Sequence, residues 1–273
     1  MHLAALHIYP VKSLRGLAVQ SAQVDPLGCV GDRRFLVVNP GGVFLTQRTL
    51  PRMALVGAFL DDSTLTLRSE GFGDIRVRRT PDPQARLVSV RVWSSEGLRA
   101  EDCGEEAAAW LGGVLGAQCR LVRIGPAYER PVNPERARPG DLVGFADGYP
   151  FLAVSEGSLS DLNRRIGESG GQPVPMNRFR PSLVLGGCEP YSEDGWRRLR
   201  IGRIVFRAAG PCKRCIVTTT DQATGARGVE PLRTLAGYRR NKDEPTLVNF
   251  GQNLVHEVKV GLLRVGDPVE VLE

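Results

Sequence analysis

Ser63-Thr64-Leu65-Thr66-Leu67-Arg68 alternates apolar and polar residues at a period of two, the pattern of a half-buried strand. Ile75-Arg76-Val77-Arg78 repeats the alternation, and Leu87-Val88-Ser89-Val90-Arg91-Val92-Trp93 is dense in β-branched residues. Toward the N-terminus, Leu3 to Tyr9 is a short apolar run ended by Pro10. Arg34-Phe35-Leu36-Val37-Val38 enters Asn39-Pro40-Gly41-Gly42, a strong turn signal, and Val43-Phe44-Leu45-Thr46 resumes, which predicts a hairpin. Many short strands punctuated by turns predict a barrel or sandwich.

Toward the C-terminus, Glu105 to Leu115 reads as a helix opened by acidic residues that suit the N-terminal end of its dipole. Gly125 to Leu142 is rich in Pro, Arg and Glu without periodicity, and reads as a long loop at a domain boundary. A strand from Pro150 to Val154 precedes a helix capped by Ser155 or Ser158, carrying Leu159, Leu162 and Ile166, and stopped by Gly170-Gly171-Gln172-Pro173. Further strands are expected at Ser182–Leu185, Arg203–Phe206, Ile216–Thr219, Glu257–Val260 and Val269–Leu272. The predicted class is mostly β (α+β): two β-barrel-type domains, residues 1–120 and 121–273, with a few packed helices.

The formal charge is +6 over 273 residues, carried by dispersed arginines with no basic run interleaved with aromatics. That pattern argues against a nucleic-acid partner and leaves room for a small anion, because the guanidinium fork matches phosphate. The start has no basic n-region, and no apolar stretch approaches a membrane span. The six cysteines, 29, 103, 119, 188, 212 and 215, form no disulfide framework at this chain length. A reduced, cytoplasmic protein with no membrane contact is expected.

Gly210-Pro211-Cys212-Lys213-Arg214-Cys215-Ile216-Val217-Thr218-Thr219 is the stretch densest in chemistry. A Cys-x-x-Cys serves as half a zinc site, a thiol redox pair or a metal thiolate. Zinc needs four ligands, and neither a second cysteine pair nor a histidine pair exists among His2, His7 and His256. A thioredoxin-type motif opens a helix, whereas the residues after Cys215 have strand propensity. Lys213 and Arg214 set cations beside the thiols, which favours thiolate and a soft metal carried on an anionic cofactor.

The run from Cys212 to Gly225 resembles the signature of the MOSC family of molybdenum-cofactor proteins, and within it the amidoxime-reducing components and their bacterial relatives. Tyr9-Pro10-Val11-Lys12-Ser13, Gly31-Asp32-Arg33-Arg34-Phe35 and Thr46-Gln47-Arg48 are similar to the markers of that family's N-terminal barrel. Asn177-Arg178-Phe179-Arg180-Pro181, Phe250-Gly251-Gln252 and Val265-Gly266-Asp267-Pro268-Val269 are similar to later markers, in the same order. Singly, Lys12-Ser13 reads as an exposed turn, Arg33 as a surface arginine and Arg180 as a loop anchor; their joint appearance in family order reverses that reading.

The resemblance implies that Cys215 ligates molybdenum and is the catalytic cysteine. It implies that Lys12, Ser13, Arg33 and Arg180 hold the pterin and phosphate of the molybdenum cofactor (Mo-molybdopterin), in a cleft between the two domains. Asp147, Gly148, Lys213, Arg214 and Asn253 fall at or near other cofactor positions. Asp147-Gly148 stands where mitochondrial relatives carry a hydroxyl-bearing pair, and Glu189 where close relatives often carry Asp. Cys212 is expected to pack or tune, Cys29, Cys103, Cys119 and Cys188 to fill the core, and His256 to lie at a strand edge. The activity implied is reduction of small N-hydroxylated compounds such as amidoximes and hydroxylaminopurines; the alternative is a cofactor carrier or sulfur-transfer protein. With no Gly-x-Gly-x-x-Gly fingerprint and no cysteine cluster for an iron–sulfur centre, a separate electron-donor protein of flavin reductase, ferredoxin or cytochrome type is required. A C-terminal iron–sulfur domain, which some bacterial relatives carry, is not expected.

Overall fold

The computed structural model describes Met1–Glu273. Its largest unit is an eight-stranded sheet in the order Val269–Val271, Arg198–Ile201, Ile204–Arg214, Val248–His256, Phe151–Ser155, Leu183–Gly186, His2–Ile8, Leu17–Val19. Neighbours run antiparallel except Phe151–Ser155 with Leu183–Gly186. A parallel pair needs a crossover, and the helix Glu156–Glu168 supplies it. Ser155 caps that helix by accepting from the Ser158 N–H at 3.0 Å, and Leu162 and Ile166 point from one helical face into the core. Leu3 N–H donates to the Asp267 carbonyl and Val269 N–H to that of Met1, curling the sheet until its ends meet. Leu3, Leu6, Phe151, Leu183, Leu254 and Phe206 are among the side chains buried within it.

The N-terminal strand therefore belongs to a sheet made mostly of C-terminal residues. Pro10 ends it, and the chain crosses to a second body. There a four-stranded sheet (Phe35–Val38, Arg120–Arg123, Ser95–Asp102, Leu87–Val92) and a three-stranded one (Gly57–Leu60, Thr64–Ser69, Gly73–Arg78) share a core with the helix Glu105–Leu115. That helix buries Ala107, Leu111, Val114 and Leu115, and ends on Gly116 in the left-handed region. Phe35 and Val37 face the shared core while Leu36 and Val38 face a separate cluster with Val90, Val122 and Phe145. A strand buried on both faces reads as a continuous apolar run. A small third sheet joins Gly261–Arg264, Ser21–Asp25 and Gly28–Cys29. No helix is long and apolar enough to cross a membrane.

The expected hairpin forms as a short one: the Asn39 N–H donates to the Val43 carbonyl at 2.9 Å and the Leu45 N–H to that of Val37 at 2.8 Å, with Val38 and Phe44 bridged antiparallel, while Phe35–Val38 also pairs with Arg120–Arg123. Three expectations are corrected. Ile216–Thr219 is one turn of 3₁₀ helix. Its β-branched residues favour a strand, yet the Thr218 N–H and hydroxyl both return to the Cys215 carbonyl, at 3.1 and 3.0 Å, and such local bonds compete with a ladder. The strand expected at Glu257–Val260 ends at His256, where Lys259 folds back onto the His256 carbonyl. His256 is no edge residue: its ring is fully buried in an interior strand against Phe151.

Candidate cofactor site

One pocket between the two bodies is lined by Lys12, Ser13, Arg33, Asp147, Gly148, Arg180, Lys213, Arg214, Cys215 and Asn253, so every residue expected to hold the cofactor or its metal meets there. Arg48 brings its cations to six, against the single carboxylate of Asp147.

Lys12 and Ser13 lie on the strap that leaves the large sheet. Pro10 stops the strand, Lys12 N–H donates to the Phe35 carbonyl at 3.0 Å, and Ser13 takes a φ of 67°. Only glycine fits at position 16, where a Cβ would stand 2.3 Å from the Tyr9 ring. That ring is the anvil of the site. The guanidinium carbons of Arg33 and Arg180 lie 4.5 and 4.3 Å from its centroid. Tyr9 is held in turn by its hydroxyl on the Pro181 carbonyl and by its N–H on Asp32 Oδ1.

The two arginines differ electrostatically. Arg33 pairs with the buried Asp32; burial works against its cation, and the carboxylate more than offsets this. Arg180 meets no carboxylate, only Gln222 Oε1 at 3.5 Å. Burial, with Arg33 beside it, pulls it down to about 10.

Asp147 reaches in from the opposite body and accepts from Lys12 and, at 3.0 Å, from Trp93 Nε1. Its side chain is largely exposed at the cleft wall; desolvation there pushes its carboxyl up, but the Lys12 ammonium and these donors hold it well below the usual range. It is an acceptor and not a proton donor near neutrality. Its loop is pinned by buried Arg130, whose guanidinium donates to the carbonyls of Gly144, Ala146 and Asp147 at 3.0, 2.6 and 2.7 Å.

Cys215 follows the long strand Ile204–Arg214 and opens the 3₁₀ turn. Cys212 lies within the strand, so the pair does not sit at the head of a long helix as a thioredoxin motif does. Arg214 Nη1 donates to Cys212 Sγ at 2.8 Å and Nη2 to the Phe179 carbonyl at 2.6 Å. Burial pushes the Cys212 thiol up, with Arg214 opposing. The expectation that Lys213 sits against the thiols is corrected: its ammonium pairs with Glu244. Across the ladder, Asn253 Nδ2 contacts the Pro211 carbonyl at 3.4 Å.

Five non-glycine residues have positive φ, and four of them, Ser13, Arg33, Trp93 and Arg180, line this pocket, at 67°, 47°, 55° and 55°. Strained conformations persist where surrounding structure over-determines them, and they gather at functional sites. Sequence reading passed over Tyr9, Arg48, Trp93 and Arg130 as site residues. Tyr9 and Arg48 stand inside the family-like stretches Tyr9–Ser13 and Thr46–Arg48, whereas Trp93 and Arg130 lie in no such stretch.

The donor set fits an anionic, sulfur-ligated group. Arg180 lacks a counter-charge, the buried Nε of Arg214 has no partner, and a thiol stands beside them. No three His, Cys, Asp or Glu side chains gather to hold a metal by themselves.

A mostly-β chain whose two bodies close on a cysteine and an arginine cradle is the class defined so far. Sequence comparison places it more closely. The MOSC N-terminal beta barrel domain matches residues 1–118 and the MOSC domain residues 140–270. Mitochondrial amidoxime-reducing component 1 of Mus musculus is 38% identical over 285 residues, spanning 99% of this chain and 82% of the relative. Its Homo sapiens counterpart is 38% identical over 286 residues, with the same coverage. The molybdenum cofactor sulfurase of Oryza sativa is 34% identical over 276 residues, 94% of this chain but 33% of the relative. The chain belongs to the MOSC family.

Proposed function

We propose that this protein is a molybdenum-cofactor-dependent oxidoreductase that reduces small N-hydroxylated compounds, amidoximes and hydroxylaminopurines among them, to amidines or amines. The observation that carries the proposal is the convergence of Cys215 with six cations and one carboxylate in a single interdomain pocket. The names of relatives matching along nearly the whole chain support the activity. The residues divide the work by their chemistry. Cys215 provides the thiolate ligand. Arg33 and Arg180, both held against the Tyr9 ring, and Lys12 would receive the phosphate, with Ser13, Gly148, Arg214 and Asn253 lining the remainder. Ionised Asp147 orients donors, and Lys213 stands at the rim. When bound, the cofactor supplies the two-electron redox change.

In balance, an N–OH group takes two electrons and two protons, its N–O bond breaks, and N–H and water result. The electrons come from a separate donor protein of flavin, ferredoxin or cytochrome type, which the positive surplus helps to steer if that partner is acidic. In sequence the two modules divide near residue 120, just after the strand Arg120–Arg123 that belongs to the N-terminal body, and a cytoplasmic location accords with the dispersed, unpaired cysteines.

Protein loaded with the cofactor and given a chemical reductant is expected to convert benzamidoxime to benzamidine. NADH alone is expected to support no turnover. If loaded, reducible protein turns over neither benzamidoxime nor a hydroxylaminopurine yet passes its cofactor to an apo-acceptor, the carrier reading replaces this one.

A further inference from the structure

Trp93 occupies the tip of the two-residue turn between the strands Leu87–Val92 and Ser95–Asp102, where Val92 pairs with Ser95. Its φ is 55°. Hairpin turns with positive φ at the first central residue ordinarily place glycine there, and a bulky residue in that region is an outlier that asks for a reason. Burial is not the reason, since Trp93 is 37% exposed. Its ring is nevertheless fixed on three sides. Nε1 donates to Asp147, the Arg48 guanidinium lies 4.3 Å from the ring centroid, and Phe44 packs edge-on at 4.8 Å. An exposed indole in a costly conformation, immobilised at the wall of the pocket that holds Cys215, is a preformed stacking surface.

We propose that Trp93 is a specificity-determining residue: its indole stacks on the flat, conjugated part of the N-hydroxylated substrate, so that the enzyme prefers aromatic and heteroaromatic N–OH compounds over aliphatic ones. This rests on the reductase reading of the same pocket. A conjugated ring offers a π-face whatever its substituents, and an aromatic platform binds such faces with little regard to their edges. Arg48, stacked on the indole and charged, adds a cationic edge that suits electron-rich purines. The platform touches the body of the substrate and not the N–OH group. It therefore contributes binding common to ground and transition states, and its removal raises KM rather than lowering kcat.

Glycine accepts the φ at position 93, so Trp93→Gly removes the ring without adding strain to the turn; Trp93→Phe retains one aromatic ring while losing the second fused ring and the indole N–H. The holoenzyme is assayed on benzamidoxime and on acetamidoxime, which share a reacting group and differ in the ring. Trp93→Gly is expected to lower the benzamidoxime-to-acetamidoxime ratio of kcat/KM by roughly 5- to 100-fold, the scale of one lost stacking contact, mainly through KM. Trp93→Phe is expected to keep most of the preference. Adenine, the flat product of hydroxylaminopurine reduction, is expected to quench tryptophan fluorescence in the wild type and not in Trp93→Gly. An unchanged ratio, or a lowered molybdenum content in Trp93→Gly that accounts for the whole effect, overturns the proposal. The adenine titration needs no turnover. If no amidoxime is reduced but adenine still quenches Trp93, the reductase reading fails and the stacking surface stands; if both amidoximes are reduced and adenine does not quench, the converse holds.

Discussion

The side-chain amides of Gln47 and Gln222 face each other and exchange two hydrogen bonds, of 3.1 and 2.9 Å, between the two bodies. Both residues are buried. Gln47 Nε2 also donates to the Ser13 carbonyl at 2.8 Å, and Gln222 Nε2 to that of Thr220 at 3.1 Å. The pair thus ties the strap that carries Ser13 to the segment that follows Cys215. Gln47→Leu takes both inter-body bonds from the buried Gln222 amide and removes the donor to the Ser13 carbonyl, at a cost of about 1–3 kcal/mol. The double Leu variant is expected to recover part of that loss, since both partners then become apolar. Denaturant melts of the four-protein cycle measure the coupling; additive losses would show the pair to be unconnected.

Arg33 and Arg180 share the Tyr9 ring but are expected to fail differently. Arg33→Ala strands the Asp32 carboxylate, which is 5% exposed, and breaking a buried pair costs about 3–5 kcal/mol. The cofactor-free protein should melt well below the wild type. Arg180→Ala removes a buried cation that has no carboxylate partner, so cofactor-free stability should stay the same or rise while molybdenum occupancy falls. Thermal melts of metal-free protein, set beside molybdenum per chain, separate the two. Equal destabilisation by both substitutions would refute the distinction.

The alternating runs at 64–69 and 73–78 and the helix Glu105–Leu115 were legible because one face of each is buried and the pattern states which. Ser95–Asp102 was not: Ser95-Glu96-Gly97-Leu98-Arg99-Ala100-Glu101-Asp102 has poor strand propensity, and pairing on both sides holds it in place. The placement of His2–Ile8 beside Leu183–Gly186 depends on contacts about two thirds of the chain apart, which local pattern does not encode. At the site, residue types that ligate or bind anions could be named from the motifs and the family order. The features that position them could not. Positive φ at Arg33, Trp93 and Arg180 breaks local rules, so propensity reads these residues as ordinary. Arg130 acts through carbonyl oxygens of a loop whose path the sequence does not reveal.

Cys215→Ser is expected to abolish molybdenum retention, because an alkoxide is harder and far less readily formed than a thiolate. Cys212→Ser should keep most of the metal, since Cys212 lies within the strand and engages Arg214. Metal analysis and the absorption spectrum of protein made in cofactor-competent cells read the difference. Full molybdenum and an unaltered spectrum in Cys215→Ser would remove the ligand assignment.

The buried His256 sets an acid limit on stability. Its Nε2 lies 2.8 Å from the Asp25 carbonyl, its Nδ1 has no partner, and the ring packs on Phe151. Burial lowers its pKa to about 4; the Asp25 carbonyl opposes this, the Lys259 ammonium adds to it, and Asp25 and Asp141 act weakly upward. The folded value lies below the unfolded one, near 6.5. As pH falls through 6.5 the unfolded chain takes a proton that the folded chain refuses. Stability is therefore complete above about pH 6.5 and declines toward pH 4, by up to about 1.4 kcal/mol per pH unit. His7, also lowered by burial, acts in the same direction. The carboxyl of Asp161, held at about 2, loses its contribution mainly below this window. Urea melts at intervals between pH 7 and 4.5 are expected to show a shallower decline for His256→Gln, which keeps a donor for the Asp25 carbonyl and cannot titrate. Parallel declines in wild type and variant would assign the acid sensitivity to other groups.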